Sequence, residues 1–182
     1  MKAVIDLLAL FVGVVLAIII QNAMPPMADL HGAHVMLVPM VFCYAAMVLP
    51  FEAMLVAALY SGFLCDLMYL HVVSGKVEIP IGCSILFFVI FGCLANGFQP
   101  AMANKNAWPF VLLSGVFTSA YLLMQFVMIT ISRGGFFWVE TVAWRILAPG
   151  AMAVLFAPLF YWTVSHIDRL LPDGSRKKRS IN

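Results

Sequence analysis

The feature that most limits the fold of this chain is a series of apolar runs, each long enough to cross a lipid bilayer. The first, residues 3–20, reads AVIDLLALFVGVVLAIII. The chain of 182 residues is 64% hydrophobic and 10% charged, with a mean hydropathy of +1.05, whereas a soluble domain carries about a quarter charged residues. The runs are continuous rather than alternating, which disfavours a β-barrel. Because lipid offers the backbone no hydrogen-bond partner, the sequence predicts an all-α integral membrane protein.

Six membrane-spanning helices are predicted, with boundaries uncertain by a few residues. The second is short and contains Pro39, so a re-entrant or tilted segment is an alternative there. The fourth opens with Pro80, which suits the first turn of a helix. The predicted spans are residues 3–20, 34–49, 51–72, 80–98, 108–131 and 138–165.

The distribution of Lys and Arg predicts the orientation, since basic residues accumulate on the cytoplasmic side. With six spans, both termini lie on one face, together with seven basic residues, against two on the other face. Both termini are therefore expected in the cytoplasm. The seven are Lys2, Lys105, Arg169, Arg176, Lys177, Lys178 and Arg179, and the two are Lys76 and Arg133.

The connecting loops are short, so residues 1–182 are expected to form a single transmembrane domain. Residues 172–182 form a basic and polar tail that is expected to be disordered. Its positive charges, Arg176, Lys177, Lys178 and Arg179, are expected to lie on anionic lipid, at about 1 kcal/mol per charge. A docking site for a cytoplasmic partner is the alternative.

Few residues form a pattern typical of a catalytic or metal-binding site. The cysteines Cys43, Cys65, Cys83 and Cys93 all fall within predicted spans, where cysteine usually behaves as a small apolar residue. His31 and His34 form an H-x-x-H pair without a third ligand, which is weak support for a metal site. No nucleophile motif or zinc-protease motif occurs. We therefore expect no catalytic residue, no metal, no cofactor and no nucleic-acid partner.

Two stripes of small residues predict close helix packing. Ala9, Gly13 and Ala17 recur every fourth residue on the first helix, where a small stripe lets another backbone approach. That other backbone could belong to this bundle or to a partner protein. Ala58 and Gly62 form a second stripe, which leads to the carboxylate of Asp66.

A carboxylate within a span seldom faces lipid, so Asp66 needs a partner. At 1.5 Å per residue, it would lie about 9 Å below the outer face, and Arg145 on the last span about 10 Å below it. Asp66 and Arg145 are therefore predicted to form a buried ion pair, with Gly62 providing space. The alternatives are a protonated Asp66, a water-filled cavity beside it with Arg145 reaching to the surface, or a counter-charge from a partner's helix.

Residues 50–94 resemble the rod-shape-determining protein family MreD. That family carries a glycine, a short apolar stretch and Asp-Leu in a middle helix, matched here by Gly62-Phe63-Leu64-Cys65-Asp66-Leu67. It then has Pro-Leu-Gly at the start of the next helix, matched by Pro80-Ile81-Gly82, and the final run from Arg145 is also similar. Gly82 would let the fourth helix pack close to the end of the third, and Pro80 and Gly82 could alternatively form a contact surface for a partner.

The resemblance implies a non-enzymatic scaffold of the machinery that elongates the bacterial cell wall. It implies binding to MreC, a single-span protein, and through MreC to the actin-like MreB. RodA and its penicillin-binding protein would belong to the same assembly. The fold implied is similar to that of the substrate-binding subunits of energy-coupling-factor transporters.

That similarity raises an alternative function, capture of a vitamin or metal ion in a pocket open to the outside. A vitamin site would need several polar groups converging in the outer half of the bundle. The outer-half polar residues are few, namely Asp66, Glu140, Arg145 and some hydroxyl groups. The composition therefore favours a scaffold.

Overall fold

The computed structural model describes residues 2–25, 27, 32–69, 72–73, 76–77, 82–103, 107–134 and 140–170. Helices form nearly all of it, joined in one place by a minimal hairpin of two antiparallel strands. The elements are α1 (Lys2–Ala23), α2 (Val38–Val48), α3 (Phe51–Met68), β1 (Val72–Val73), β2 (Lys76–Val77), α4 (Cys83–Asn96), α5 (Gln99–Ala103), α6 (Trp108–Arg133) and α7 (Glu140–Leu170).

Three helices in the described ranges are long and apolar enough to cross a membrane: Phe51–Met68, Trp108–Arg133 and the Glu140–His166 part of α7. Three more are apolar but shorter, namely Leu7–Ala23, Val38–Val48 and Cys83–Asn96. The helical class expected from the sequence is therefore confirmed, and six crossings remain a prediction. The short surface helix α5 was not predicted. The fourth helix begins at Cys83 rather than at Pro80, which lies outside the described residues.

Helix α2 is the shortest of the helices that the predicted apolar spans form, and it occupies the centre of the fold. Nine of its eleven residues are buried, and it packs against α1, α3, α4, α6 and α7. Phe42 of α2 lies at the middle of an aromatic cluster, with its ring centroid 4.8 Å from that of Phe88 and 5.7 Å from that of Phe117. The segment considered for a re-entrant or tilted role is thus a core helix.

A helix of eleven residues is about 16 Å long, roughly half the thickness of a bilayer core. Its end groups therefore need partners within the protein. At the start, the N–H of Leu37 donates to Oε1 of Gln21 at 3.0 Å. At the other end, Nδ2 of Asn96 donates to the carbonyl oxygens of Ala46 at 2.8 Å and Leu49 at 3.0 Å. Polar side chains from α1 and α4 thus satisfy both ends of the central helix.

The last two helices, α6 and α7, meet at a crossing of two glycines. A Cβ added to Gly150 would lie 1.9 Å from Oγ of Ser119 and 3.0 Å from the carbonyl oxygen of Gly115. A Cβ added to Gly115 would lie 2.4 Å from Cγ2 of Val154. The distances of 1.9 Å and 2.4 Å are shorter than a Cβ can approach, and 3.0 Å to a backbone oxygen is unusually close, so the two backbones pack closely because both positions lack a side chain.

We expect Gly150→Ala to destabilise the protein by about 1–3 kcal/mol, because the methyl group would force α6 and α7 apart. Thermal unfolding in detergent measures the loss. Gly13→Ala is the matched control, since a Cβ there would lie 3.8 Å from its nearest neighbour, an ordinary contact distance. Equal unfolding temperatures for the two variants would contradict the close crossing.

Candidate functional site

The carboxylate of Asp66 joins the end of α3 to the start of α4. Asp66 is 5% exposed and lies two residues before the end of α3. Its Oδ2 accepts a hydrogen bond from the backbone N–H of Gly82 at 2.6 Å, and its Oδ1 accepts one from the N–H of Ser84 at 3.2 Å. Both oxygens of the side chain thus bind the first amides of α4.

This arrangement follows from the needs of a helix start. The first N–H groups of a helix have no partner within it and carry a partial positive charge, so an anion binds well there. The first turn of α4 has no acidic residue of its own. Asp66 supplies the missing acceptor from the neighbouring helix, through bonds strengthened by its charge.

Gly62, one turn before Asp66, permits the approach of the two helices. A Cβ added there would lie 2.5 Å from Cα of Ile85, 2.7 Å from N of Ile85 and 3.0 Å from the carbonyl carbon of Ser84. These are backbone atoms, which cannot move without displacing α4. Gly62 and Asp66 therefore act together, one by letting α4 come close and the other by binding its amides. We call Gly62, Asp66, Gly82 and Ser84 the α3–α4 joint.

The joint extends to a third helix through buried hydroxyl groups. Oγ of Ser84 and the phenolic oxygen of Tyr121 on α6 share a hydrogen bond of 3.0 Å. Both residues are almost fully buried, and the Tyr121 ring lies edge-on to Phe88 with centroids 5.6 Å apart. Ser84 thus links α3 to α6, because its backbone N–H donates to Asp66 and its hydroxyl shares a hydrogen bond with Tyr121.

The ion pair predicted between Asp66 and Arg145 is not among the contacts of the residues that the structure describes. Arg145 is exposed rather than buried, and its Nη2 lies 3.8 Å from the position that a Cβ on Gly32 would take. The pair was predicted because both residues were expected at a similar depth below the outer membrane face. The amides of α4 lie closer to Asp66, and they occupy both carboxylate oxygens.

Gly82 has a different role from the predicted one. A Cβ added to Gly82 would meet nothing within 4 Å, so this glycine is not needed for close packing. Its φ of +108° instead places the chain in a conformation that favours glycine and turns its N–H toward Asp66. The close packing belongs to Gly62. Pro80 lies outside the described residues, as do Arg176, Lys177, Lys178 and Arg179.

The stripe on α1 lies only partly inside the bundle. Ala17 is buried, Gly13 is half-buried and Ala9 is exposed. A Cβ on Gly13 would lie 3.8 Å from Cγ1 of Val41 on α2, at normal contact distance. The second stripe is fully internal, because Ala58 is 0% exposed. Docking of a partner's helix on the Ala9 end of α1 remains a prediction.

Three polar anchors escaped the sequence analysis: Gln21, Asn96 and the Ser84–Tyr121 pair. Gln21 binds the N–H of Leu37 and also donates to the hydroxyl of Tyr69, so it ties α1 to α2 and to the end of α3. The available signal was that amides and hydroxyls within apolar runs need partners as much as carboxylates do. Which backbone group each one meets depends on the tertiary fold, which spacing along the chain does not specify.

An open groove of about 800 Å³ lies between α6 and α7. Apart from Ser119, the described residues that line it are apolar or glycine, and Asp66 is not one of them. In the part of the chain that the structure describes, no three His, Cys, Asp or Glu side chains are grouped closely enough to hold a metal ion.

No family model, curated protein or solved structure matches this chain.

Gly62→Ala tests the joint directly. We expect it to lower stability by about 1–3 kcal/mol, since the added methyl group meets backbone rather than a flexible side chain. Thermal unfolding measures this, and Gly13→Ala again serves as control. A stability unchanged from the wild type would show that α4 can move away at no cost.

A double-mutant cycle on Asp66 and Arg145 distinguishes the joint from the predicted pair. We expect Asp66→Leu to destabilise the protein, because two amides of α4 lose their acceptor. Whatever Arg145→Met costs by itself, the two changes should add within about 0.5 kcal/mol. A coupling energy well above that value, measured by unfolding of the four proteins, would restore the ion pair.

Proposed function

We propose that this protein is a non-enzymatic membrane scaffold of the bacterial cell-wall elongation machinery, similar to MreD. In this proposal it crosses the inner membrane six times, with both termini in the cytoplasm. The observation that supports it most is the meeting of two motifs: Oδ2 of Asp66, from the Gly62–Leu67 stretch, binds the N–H of Gly82, from the Pro80–Gly82 stretch. The two stretches on which the resemblance rests therefore contribute to a single joint.

The chemistry of this joint fits a scaffold better than a reaction centre. Asp66, the carboxylate that the sequence analysis singled out, has both oxygens engaged by backbone amides. The neighbouring hydroxyls of Ser84 and Tyr121 satisfy each other. Such a network fixes the relative positions of α3, α4 and α6, and a partner can then recognise a constant surface.

The proposed partner is MreC, through which the protein would connect to MreB, with RodA and its penicillin-binding protein in the same assembly. Helix α1 is the proposed contact, because it packs on only one side, against α2 and α3. The Ala9 end of its small-residue stripe faces outward, and a small stripe allows a second transmembrane helix to approach closely.

Purification of the full-length tagged protein from its native membranes, followed by mass spectrometry, tests this function. We expect an MreC-like single-span protein to copurify. Recovery of transporter ATPases and their membrane coupling subunit instead would favour the substrate-binding alternative and reject the scaffold. Depletion of the protein should also turn rod-shaped cells round, whereas loss of a vitamin importer should be rescued by the nutrient.

Gly13→Leu should weaken the association that the stripe supports, with the partner or with α2 of the same bundle, and so reduce recovery of the partner several-fold. The amount of protein in the membrane should not fall, because leucine favours insertion but blocks close approach. Quantitative mass spectrometry measures the ratio of partner to bait. Val12→Leu, on the exposed side of α1, is the matched control. Equal recovery from both variants would remove the stripe from the interface.

A further inference from the structure

Two pairs of helices in the fold differ greatly in length. Helix α6 has 26 residues and α7 has 31, which correspond to about 39 Å and 46 Å. Helix α3 has 18 residues and α4 has 14, or about 27 Å and 21 Å. Helix α3 packs chiefly on α4, and α6 packs chiefly on α7. We call the pair α3 and α4 the short wall of the protein, and the pair α6 and α7 its long wall.

The short wall has a broad exposed apolar face. Leu59, Phe63 and Leu67 of α3 are each about half exposed, and Leu86 and Ile90 of α4 are exposed by 63% and 55%. The exposed Glu52 bounds this face at one end, and the α3–α4 joint bounds it at the other. From Glu52 to the end of α3 at Met68 the face is about 24 Å tall, whereas α6 carries no charge for about 36 Å between Trp108 and Ser132.

A bilayer core is about 30 Å thick, and mismatch is relieved differently on the two walls. Long helices can tilt until their apolar length fits. Short helices cannot be lengthened, so the lipid must become thinner beside them or a neighbouring protein must cover them. The joint prevents α3 and α4 from sliding to extend their combined height, because Gly62 packs against the backbone of Ile85 and Asp66 binds the α4 amides.

We propose that the α3–α4 face is a binding surface for lipids with short acyl chains, which thin the bilayer on this side of the protein. The proposal depends on the membrane placement given above but not on the identity of any protein partner. Lipid headgroups lie level with the polar ends of the short wall, so the distance between those ends sets the local thickness of the bilayer. The lipid surrounding the protein is therefore asymmetric, thinner at α3–α4 than at α6–α7.

Quenching of a single tryptophan by brominated lipid tests the proposal in vesicles that contain the full-length protein. The native tryptophans, at positions 108, 138, 144 and 162, are replaced by phenylalanine. One reporter is then placed on the short wall as Ile90→Trp and, in a separate protein, on the long wall as Val116→Trp, which has a similar exposure of 58%. The bilayers mix dimyristoleoyl- and dierucoyl-phosphatidylcholine, with either lipid brominated in turn.

We expect the short-chain lipid to be enriched about twofold or more over the long-chain lipid at position 90, relative to position 116. The same ratio at both positions, or a long-chain preference at position 90, would overturn the proposal. Quenching at position 116 without any at position 90 would also overturn it, because a second protein molecule would then cover the face. Leu86→Trp repeats the short-wall measurement if Ile90→Trp folds poorly. Absence of quenching at every position would reject the membrane placement itself, a result distinct from a failure to copurify MreC.

Discussion

The carboxylate of Asp66 binds two backbone amides of α4, and the position of that helix depends on this contact. A buried carboxylate is costly unless its oxygens are satisfied, and the first amides of a helix are equally costly when they are left without acceptors. Each group removes the penalty of the other. Gly62 makes the contact feasible, since a Cβ there would overlap the backbone of Ile85. The contact also fixes Ser84, whose hydroxyl then meets Tyr121 of α6, so one interaction helps to orient three helices.

The same physical rule accounts for the central helix. A segment as short as α2 would leave backbone groups unsatisfied at both ends if it stood alone in an apolar medium. Gln21 and Asn96 bind those groups from neighbouring helices. Gln21 and Asn96, like Asp66, thus satisfy helix ends from neighbouring helices, and a short helix can be central because longer neighbours surround it.

The sequence was sufficient for the helical class, for the approximate position of each long helix and for the small residues of α3, whereas the crossing of α6 and α7 at Gly115 and Gly150 was not predicted. Those features depend on local composition and spacing, as Gly62 and Ala58 illustrate. The partner of Asp66 was harder to predict, because depth along two helices identifies Arg145 but says nothing about which helix is the neighbour. The backbone of α4 was overlooked as a partner because analysis of charges considers side chains first. Gly82 was assigned to packing for a related reason, since its role depends on a φ of +108°, which no residue pattern specifies alone.

The two walls and the joint have a common origin in the length of α4. Helix α4 has 14 residues and starts beside the buried Asp66 of α3, which supplies the acceptor that its first amides need. The position at which α4 begins also limits the height of the apolar face that α3 and α4 present. If α4 were extended by a turn at its beginning, its first amides would lie nearer to bulk water and the requirement for a buried carboxylate would weaken. The α3–α4 joint and the short apolar face are therefore both consequences of the short length of α4. In the proposed membrane placement, such a protein would keep its helices in fixed relative positions and present apolar faces of unequal height to the lipid around it.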